Sequence, residues 1–222
     1  MNGIGDISAA LGGIIDVGGP VVAVLIAMSV LAGAVTLYKL WQYGSAGVGR
    51  HVVLREALAT WDTGQAQAAR RRLEDSNSYL APLIHRAMQD GERQQERLEA
   101  EAGTAFARLE GGFRTLDSIA QLAPLLGLFG TVLGMIDAFR ALQGAGSSVD
   151  PSILAGGIWV ALMTTAVGLA VAMPTSLLLT WLESRMARER TFADLALRTV
   201  LAPTGQAPQI AEQPGGVAVH AG

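Results

Sequence analysis

The sequence predicts an all-α integral membrane protein: three transmembrane helices, N-terminus outside and C-terminus inside, with a cytoplasmic helical extension. Three observations carry this reading. First, three long stretches hold no charge: 22 residues between Asp16 and Lys39, 19 between Asp117 and Asp137, and 32 between Asp150 and Glu183. A helix needs about 20 apolar residues to cross a bilayer. Second, half of the 222 residues are hydrophobic, only 5% are aromatic, and glycine occurs 27 times. Small residues let membrane helices pack closely. Third, Lys and Arg are partitioned: none in residues 1–18, eleven in 39–117, only Arg140 in 140–152, and four in 183–222. Positive charge is retained on the cytoplasmic side, and that sets the orientation.

The elements follow in order. Residues 1–16 carry Ile4, Ile7, Leu11, Ile14 and Ile15 at roughly helical spacing, with Asp6 and Asp16 as polar marks. This reads as a helix lying at the outer membrane–water boundary. Span one covers 17–43, with Pro20 in its first turn and Tyr38, Trp41 and Tyr43 at its inner interface. A cleaved signal peptide is the weaker reading of this stretch, because no Lys or Arg precedes it and the apolar run is long. The cytoplasmic region 44–117 reads as helices, punctuated by Gly64 and Asn77-Ser78, with Ser78 a candidate cap. From Gln94 onward Leu98, Ala102, Ala105, Leu109, Phe113 and Leu116 recur at steps of three or four. That spacing predicts one long packed helix entering span two, with Gly111-Gly112 the point where it could bend. Span two is 118–139, an outer loop 140–152, and span three 153–182. The uncharged run of span three would extend about 48 Å, so it tilts or continues beyond the bilayer. A cytoplasmic helix covers 183–202, and the Gly-, Pro- and Gln-rich tail 203–222 is expected to be disordered.

Several functions are excluded. His51, His85 and His220 are dispersed, and no HExxH, GxSxG or P-loop pattern occurs, so the sequence does not read as an enzyme. The absence of cysteine removes thiolate metal sites and disulfides, and neither a metal nor a cofactor is expected. The net charge of −3 carries no argument for nucleic acid. The lipid bilayer itself is the first expected partner.

Spans two and three hold the informative residues. In span two Gly127 and Thr131 are four apart, as are Gly130 and Gly134, so each pair shares a helix face. In span three Ala161 and Thr165 form one small face, and Thr164, Gly168 and Ala172 another, with Pro174 just beyond. The spans run antiparallel across a short loop. Thr131 and Thr165 therefore both fall about 12–18 Å from the outer end, at matching depth. A water-lined ion path would need polar groups placed in this way. Composition alone favours the plainer reading, in which each threonine bonds its own i−4 carbonyl and serves packing. No ionisable residue lies deep in any span, so a proton-carrying group has to come from a partner.

The stretch Ala123-Pro124-Leu125-Leu126-Gly127-Leu128-Phe129-Gly130-Thr131-Val132 is followed by Gly134-Met135-Ile136. Gly157-Ile158, Thr165-Ala166-Val167-Gly168-Leu169 and Pro174 come after it, and together they resemble the signature of the MotA/TolQ/ExbB family. The resemblance covers roughly residues 95–200. It implies a bacterial inner-membrane location and a pentamer of this subunit around a dimer of single-span, ExbD- or TolR-like partners. Each partner carries a membrane aspartate, and ion flow past it drives work on the cell envelope through a TonB- or TolA-like protein. The family's pore threonines map onto Thr131 and Thr165, which turns the balance toward function for both. Thr164 is an added hydroxyl beside the second, expected to bear on ion preference. Gly127, Gly130, Gly134, Ala161, Gly168, Ala172 and Pro174 are expected to pack the helices around the path. One departure stands out: relatives commonly carry glutamate five residues before the second threonine, where this chain has Val160. The leading expectation is thus a non-enzymatic, ion-conducting motor subunit, with three spans closer to ExbB and TolQ than to MotA. The alternative is a non-conducting membrane scaffold that recruits a partner.

Overall fold

The computed structural model describes residues 3–144 and 151–204, and the side chains of all of these except 3–18 and 90–93. Within these residues the chain forms six helices and no strand: α1 Gly3–Ser45, α2 Val52–Asp62, α3 Ala66–Glu74, α4 Ala81–Glu110, α5 Phe113–Gly144 and α6 Pro151–Leu201. The stretches Gly19–Ser45, Phe113–Gly144 and Pro151–Leu201 are long and apolar enough to cross a membrane. Residues 145–150 of the expected loop and 205–222 of the expected disordered tail lie outside the described residues.

The chain divides into two compact units, one comprising residues 1–44 and 106–188, the other 45–105 and 189–222. The first holds the three apolar helices. Helix α1 is interrupted at Gly19, whose φ of 65° and ψ of −162° only glycine adopts without strain. Pro20 follows at the start of the apolar stretch, where its missing N–H has no partner to lose. The contacts of Gly130 with Val21, and of Gly112 with Val35 and Lys39, set α1 antiparallel to α5. Those of Gly134 with Ala161, Gly127 with Thr165 and Gly168 with Ala123 set α5 antiparallel to α6. Val21, Leu25, Ala123 and Ala172 form the centre of this unit, with Met28, Leu126, Leu133, Val167 and Val171 packed around them.

The continuous helix expected from Gln94 into span two is broken. Helix α4 stops at Glu110, Gly112 takes a φ of 92°, and α5 starts at Phe113. A Cβ on Gly112 would lie 3.3 Å from the Val35 side chain, so glycine is favoured by both conformation and space. The end of α4 is met by α1. Lys39 Nζ donates to the Leu109 carbonyl at 3.1 Å and to Gln42 Oε1 at 2.7 Å. Tyr43 OH donates to the same carbonyl at 3.4 Å. The last carbonyls of a helix lack intrahelical donors, and a cation suits the negative end of its dipole.

The second unit is held by a core that includes Leu54, Leu58, Leu73, Leu80, Ile84, Ala193, Ala196 and Leu197, all buried. Polar ties cross it. Trp61 Nε1 donates to the Val200 carbonyl at 3.2 Å, and the Arg70 guanidinium to the Met88 carbonyl at 2.6 Å. Asp62 accepts from both the backbone N–H and the hydroxyl of Thr204, at 2.7 and 2.8 Å. Ser78 Oγ accepts the Leu80 N–H at 3.2 Å just before α4. Arg86 and Glu101 form an ion pair at 2.7 Å although both belong to α4. Fifteen residues of straight helix would separate them by about 22 Å, so α4 bends between them.

Candidate ion pathway

Antiparallel packing of α5 on α6 is built from small residues, and several contacts admit nothing larger. A Cβ on Gly127 would stand 3.0 Å from the Thr164 carbonyl and 3.1 Å from the Thr165 Cα. On Gly134 it would meet Ala161 at 3.1 Å, and on Gly168 the Ala123 carbonyl at 2.6 Å. Gly130 faces both Val21 of α1 and the Thr164 hydroxyl. Ala172 is buried with Ala161, whereas Pro174 is exposed on this chain.

The three threonines are in different situations. Thr164 is 2% exposed, and its hydroxyl lies 2.7 Å from the Ala161 carbonyl and 3.2 Å from the Gly127 carbonyl. It sits inside the helix contact, away from any open face. Thr165 is half-buried and donates across to the Gly127 carbonyl of α5 at 3.1 Å. Thr131 is half-buried and donates to the Leu128 carbonyl in its own helix at 2.6 Å. The purely intrahelical bonding expected of packing threonines thus describes Thr131, while Thr165 bridges two helices.

Their placement follows from helix geometry. Successive residues turn by about 100°. On α5 the buried line Leu116, Ala123, Gly127, Gly130 has Thr131 at one rim. On α6 the buried line Ala161, Thr164, Gly168, Ala172 has Thr165 at one rim. Gly130 and Thr164 lie toward α1, through Val21. Because the helices are antiparallel, the opposite rims of both lie on one side of the pair. Thr131 and Thr165 therefore share the edge of α5 and α6 that α1 leaves uncovered. Each donates its single hydroxyl proton to a carbonyl and keeps its lone pairs to accept from water or a protonated group.

The rest of the surroundings is apolar. Leu122, Leu125, Phe129, Val132, Ile136 and Phe139 form an exposed stripe on α5, and Trp159, Leu162, Leu169 and Met173 are exposed on α6. Val160 is half-buried and lies about 140° around α6 from Thr165. Among the described residues no group of His, Asp and Glu converges in a way that could hold a metal.

Two features were not anticipated. One is the Lys39 and Tyr43 clasp on Leu109. The other is a buried cluster in the second unit. His51 Nε2 is 2.7 Å from Glu189, its Nδ1 is 3.0 Å from Ser78 Oγ, and its ring stacks on Phe192 with centroids 4.5 Å apart. Tyr79 OH donates to the same Glu189 oxygen at 3.1 Å. Residues 138 positions apart in sequence leave no local pattern that pairs them.

Fold and site define a class: an all-helical protein with three helices long and apolar enough to cross a membrane, whose small-residue helix pair presents two threonines at one edge. Residues 61–194 match the model of the MotA/TolQ/ExbB proton channel family, and the chain belongs to that family. It is similar to the ExbB-like 1 biopolymer transport protein of Synechocystis, 37% identical over 163 residues, covering 70% of this chain and 64% of that protein. Similarity to the biopolymer transport protein exbB1 of Vibrio cholerae is 41% over 85 residues, 36% of this chain and 37% of the other. With the Tol-Pal system protein TolQ of Haemophilus influenzae it is 44% over 66 residues, covering 30% and 28%. The chain thus spans less than two thirds of the length of each of these three relatives.

Proposed function

We propose that this protein is the oligomer-forming, proton-conducting subunit of a membrane motor, similar to ExbB with ExbD or TolQ with TolR. In this reading five copies surround two single-span partners in a bacterial inner membrane. The N-terminus is outside, and the second unit lies in the cytoplasm. Protons pass between Thr131 and Thr165 and a partner's membrane aspartate. The motion that follows does work on the cell envelope, such as TonB-dependent transport. Thr164, buried in the helix contact, sets the spacing of that contact rather than meeting the ion.

The observation that supports this best is the shared, uncovered edge holding Thr131 and Thr165 in a stretch without ionisable side chains. Hydroxyls there can pass or position a proton but cannot carry it across alone, so the carrier is a partner's acid. The test is proton flux through liposomes holding the protein with its aspartate-bearing partner. Thr131→Val and Thr165→Val are expected to reduce flux while native mass spectrometry still finds five subunits with two partners. Unchanged flux in both would remove the pathway. Val160, where the family resemblance leads one to expect the common glutamate, favours a second reading, a non-conducting scaffold. That reading predicts a homo-oligomer that never takes up the partner.

A further inference from the structure

Besides Pro20 at the kink of α1, prolines lie inside two apolar helices, Pro124 in α5 and Pro174 in α6. Proline has no N–H, so the carbonyl four residues before it loses its helical donor, and the ring crowds that carbonyl. The acceptors released in this way belong to Ala120 and Ala170.

The two are placed differently. Ala120 precedes Thr131 by eleven residues, which returns it to within about 20° of the same line on α5. Pro124 lies on that line too, within about 20° of Thr131 on its other side. Ala170, by contrast, is about 140° around α6 from Thr165. Ala120 and Pro124 are both half-buried, at the rim of the packed face rather than sealed within it. Carbonyls of an α-helix point toward its C-terminus. The Ala120 oxygen is therefore aimed along the line toward Thr131. Thr165, which bonds the Gly127 carbonyl, lies between the two in depth. From Ala120 to the level of Gly127 is about 10 Å, and from there to Thr131 about 6 Å. Ser118 and Gln121, the other polar residues of this stretch, project to other sides of α5, about 140° and 80° from the line.

We propose that the Ala120 carbonyl, freed by Pro124, is a backbone station on the ion path, holding a water or hydronium on the N-terminal side of the threonines along α5. The proposal rests on the pathway reading given above. A carbonyl accepts and never donates, so it orients the water and leaves proton transfer to the water itself. Pro124 serves by what it lacks.

The experiment separates the missing donor from the ring. In the reconstituted complex with its partner, Pro124→Ala supplies an N–H that draws the Ala120 carbonyl back into the helix. Lactic acid installed at position 124, the α-hydroxy analogue of alanine, gives an ester with neither ring nor donor. Flux per assembled complex is expected to fall about tenfold with alanine, the loss of one hydrogen-bonding station, and to stay within about twofold of wild type with the ester. Wild-type flux with alanine overturns the proposal. Equal losses in both variants also overturn it, because the ring would then be what matters. Thr131→Val and Thr165→Val are measured beside them. If those are silent the path itself falls. If they reduce flux while Pro124→Ala does not, only the carbonyl station falls.

Discussion

A methyl group on Gly168 would sit 2.6 Å from the Ala123 carbonyl oxygen and 3.1 Å from the Gly127 Cα, against backbone that no rotamer change can move. Gly103, inside the C-terminal third of α4, would carry the same methyl into open space. The two glycines thus predict opposite signs. Gly168→Ala forces α5 and α6 apart and is expected to destabilise by about 1–3 kcal/mol, the usual cost of overpacking a close contact. Gly103→Ala removes a flexible residue from a helix interior and is expected to stabilise by about 0.5–1 kcal/mol. Reversible unfolding in mild detergent measures both. A Gly168→Ala protein as stable as wild type would show that the helix pair is looser than these distances require. The pairing of Gly127 with Thr131 was readable from the sequence because a step of four residues returns to one face. The separation of Thr164 from Thr165 was not. They are neighbours in sequence, and only the approach of Gly130 and Val21 decides which hydroxyl is enclosed.

At the scale of elements, the apolar helices were legible because charge is excluded from a bilayer core, and uncharged runs of 19 to 32 residues are long enough to cross it. The break between α4 and α5 was harder to read. Leu98, Ala102, Ala105, Leu109, Phe113 and Leu116 keep helical spacing straight through it, and a Gly pair disfavours a helix only mildly. What holds the break is tertiary: Lys39, 70 positions before Leu109, reaches the carbonyl at the end of α4. Lys39→Met keeps the buried stem and removes the donor. The Leu109 carbonyl would retain the longer Tyr43 bond at 3.4 Å and lose the shorter one. Weakening a buried acceptor in this way costs about 1–3 kcal/mol. Amide exchange in residues 106–113 is expected to rise more than in the middle of α5. Uniform exchange along both helices would mean that the clasp does not hold the joint.

At the scale of the whole molecule, each of the two units has its own core, and α4 and α6 contribute to both. The first unit leaves a stripe of large apolar side chains on α5 exposed, a surface that lipid tails can cover without cost. The second unit is locked instead by a polar cluster that composition could not foretell: His51 from the start of α2, Ser78 and Tyr79 from the connection before α4, and Glu189 from α6. A buried polar network is stable only while its members are satisfied. His51→Ala removes one donor from a carboxylate that is 4% exposed and opens a gap beside Phe192, a loss on the order of 3 kcal/mol. If the units are energetically separate, that loss stays local. Exchange rises in α2, in residues 76–84 and in the last turns of α6, while residues 120–135 keep wild-type protection. Replacing the pair together, His51→Leu with Glu189→Leu, exchanges the buried polar contact for apolar packing and is expected to recover part of the loss. Exchange that rises equally through α5 in the single variant would instead show that the shared helices make the two units one cooperative body, so that a lesion at His51 reaches the threonine edge.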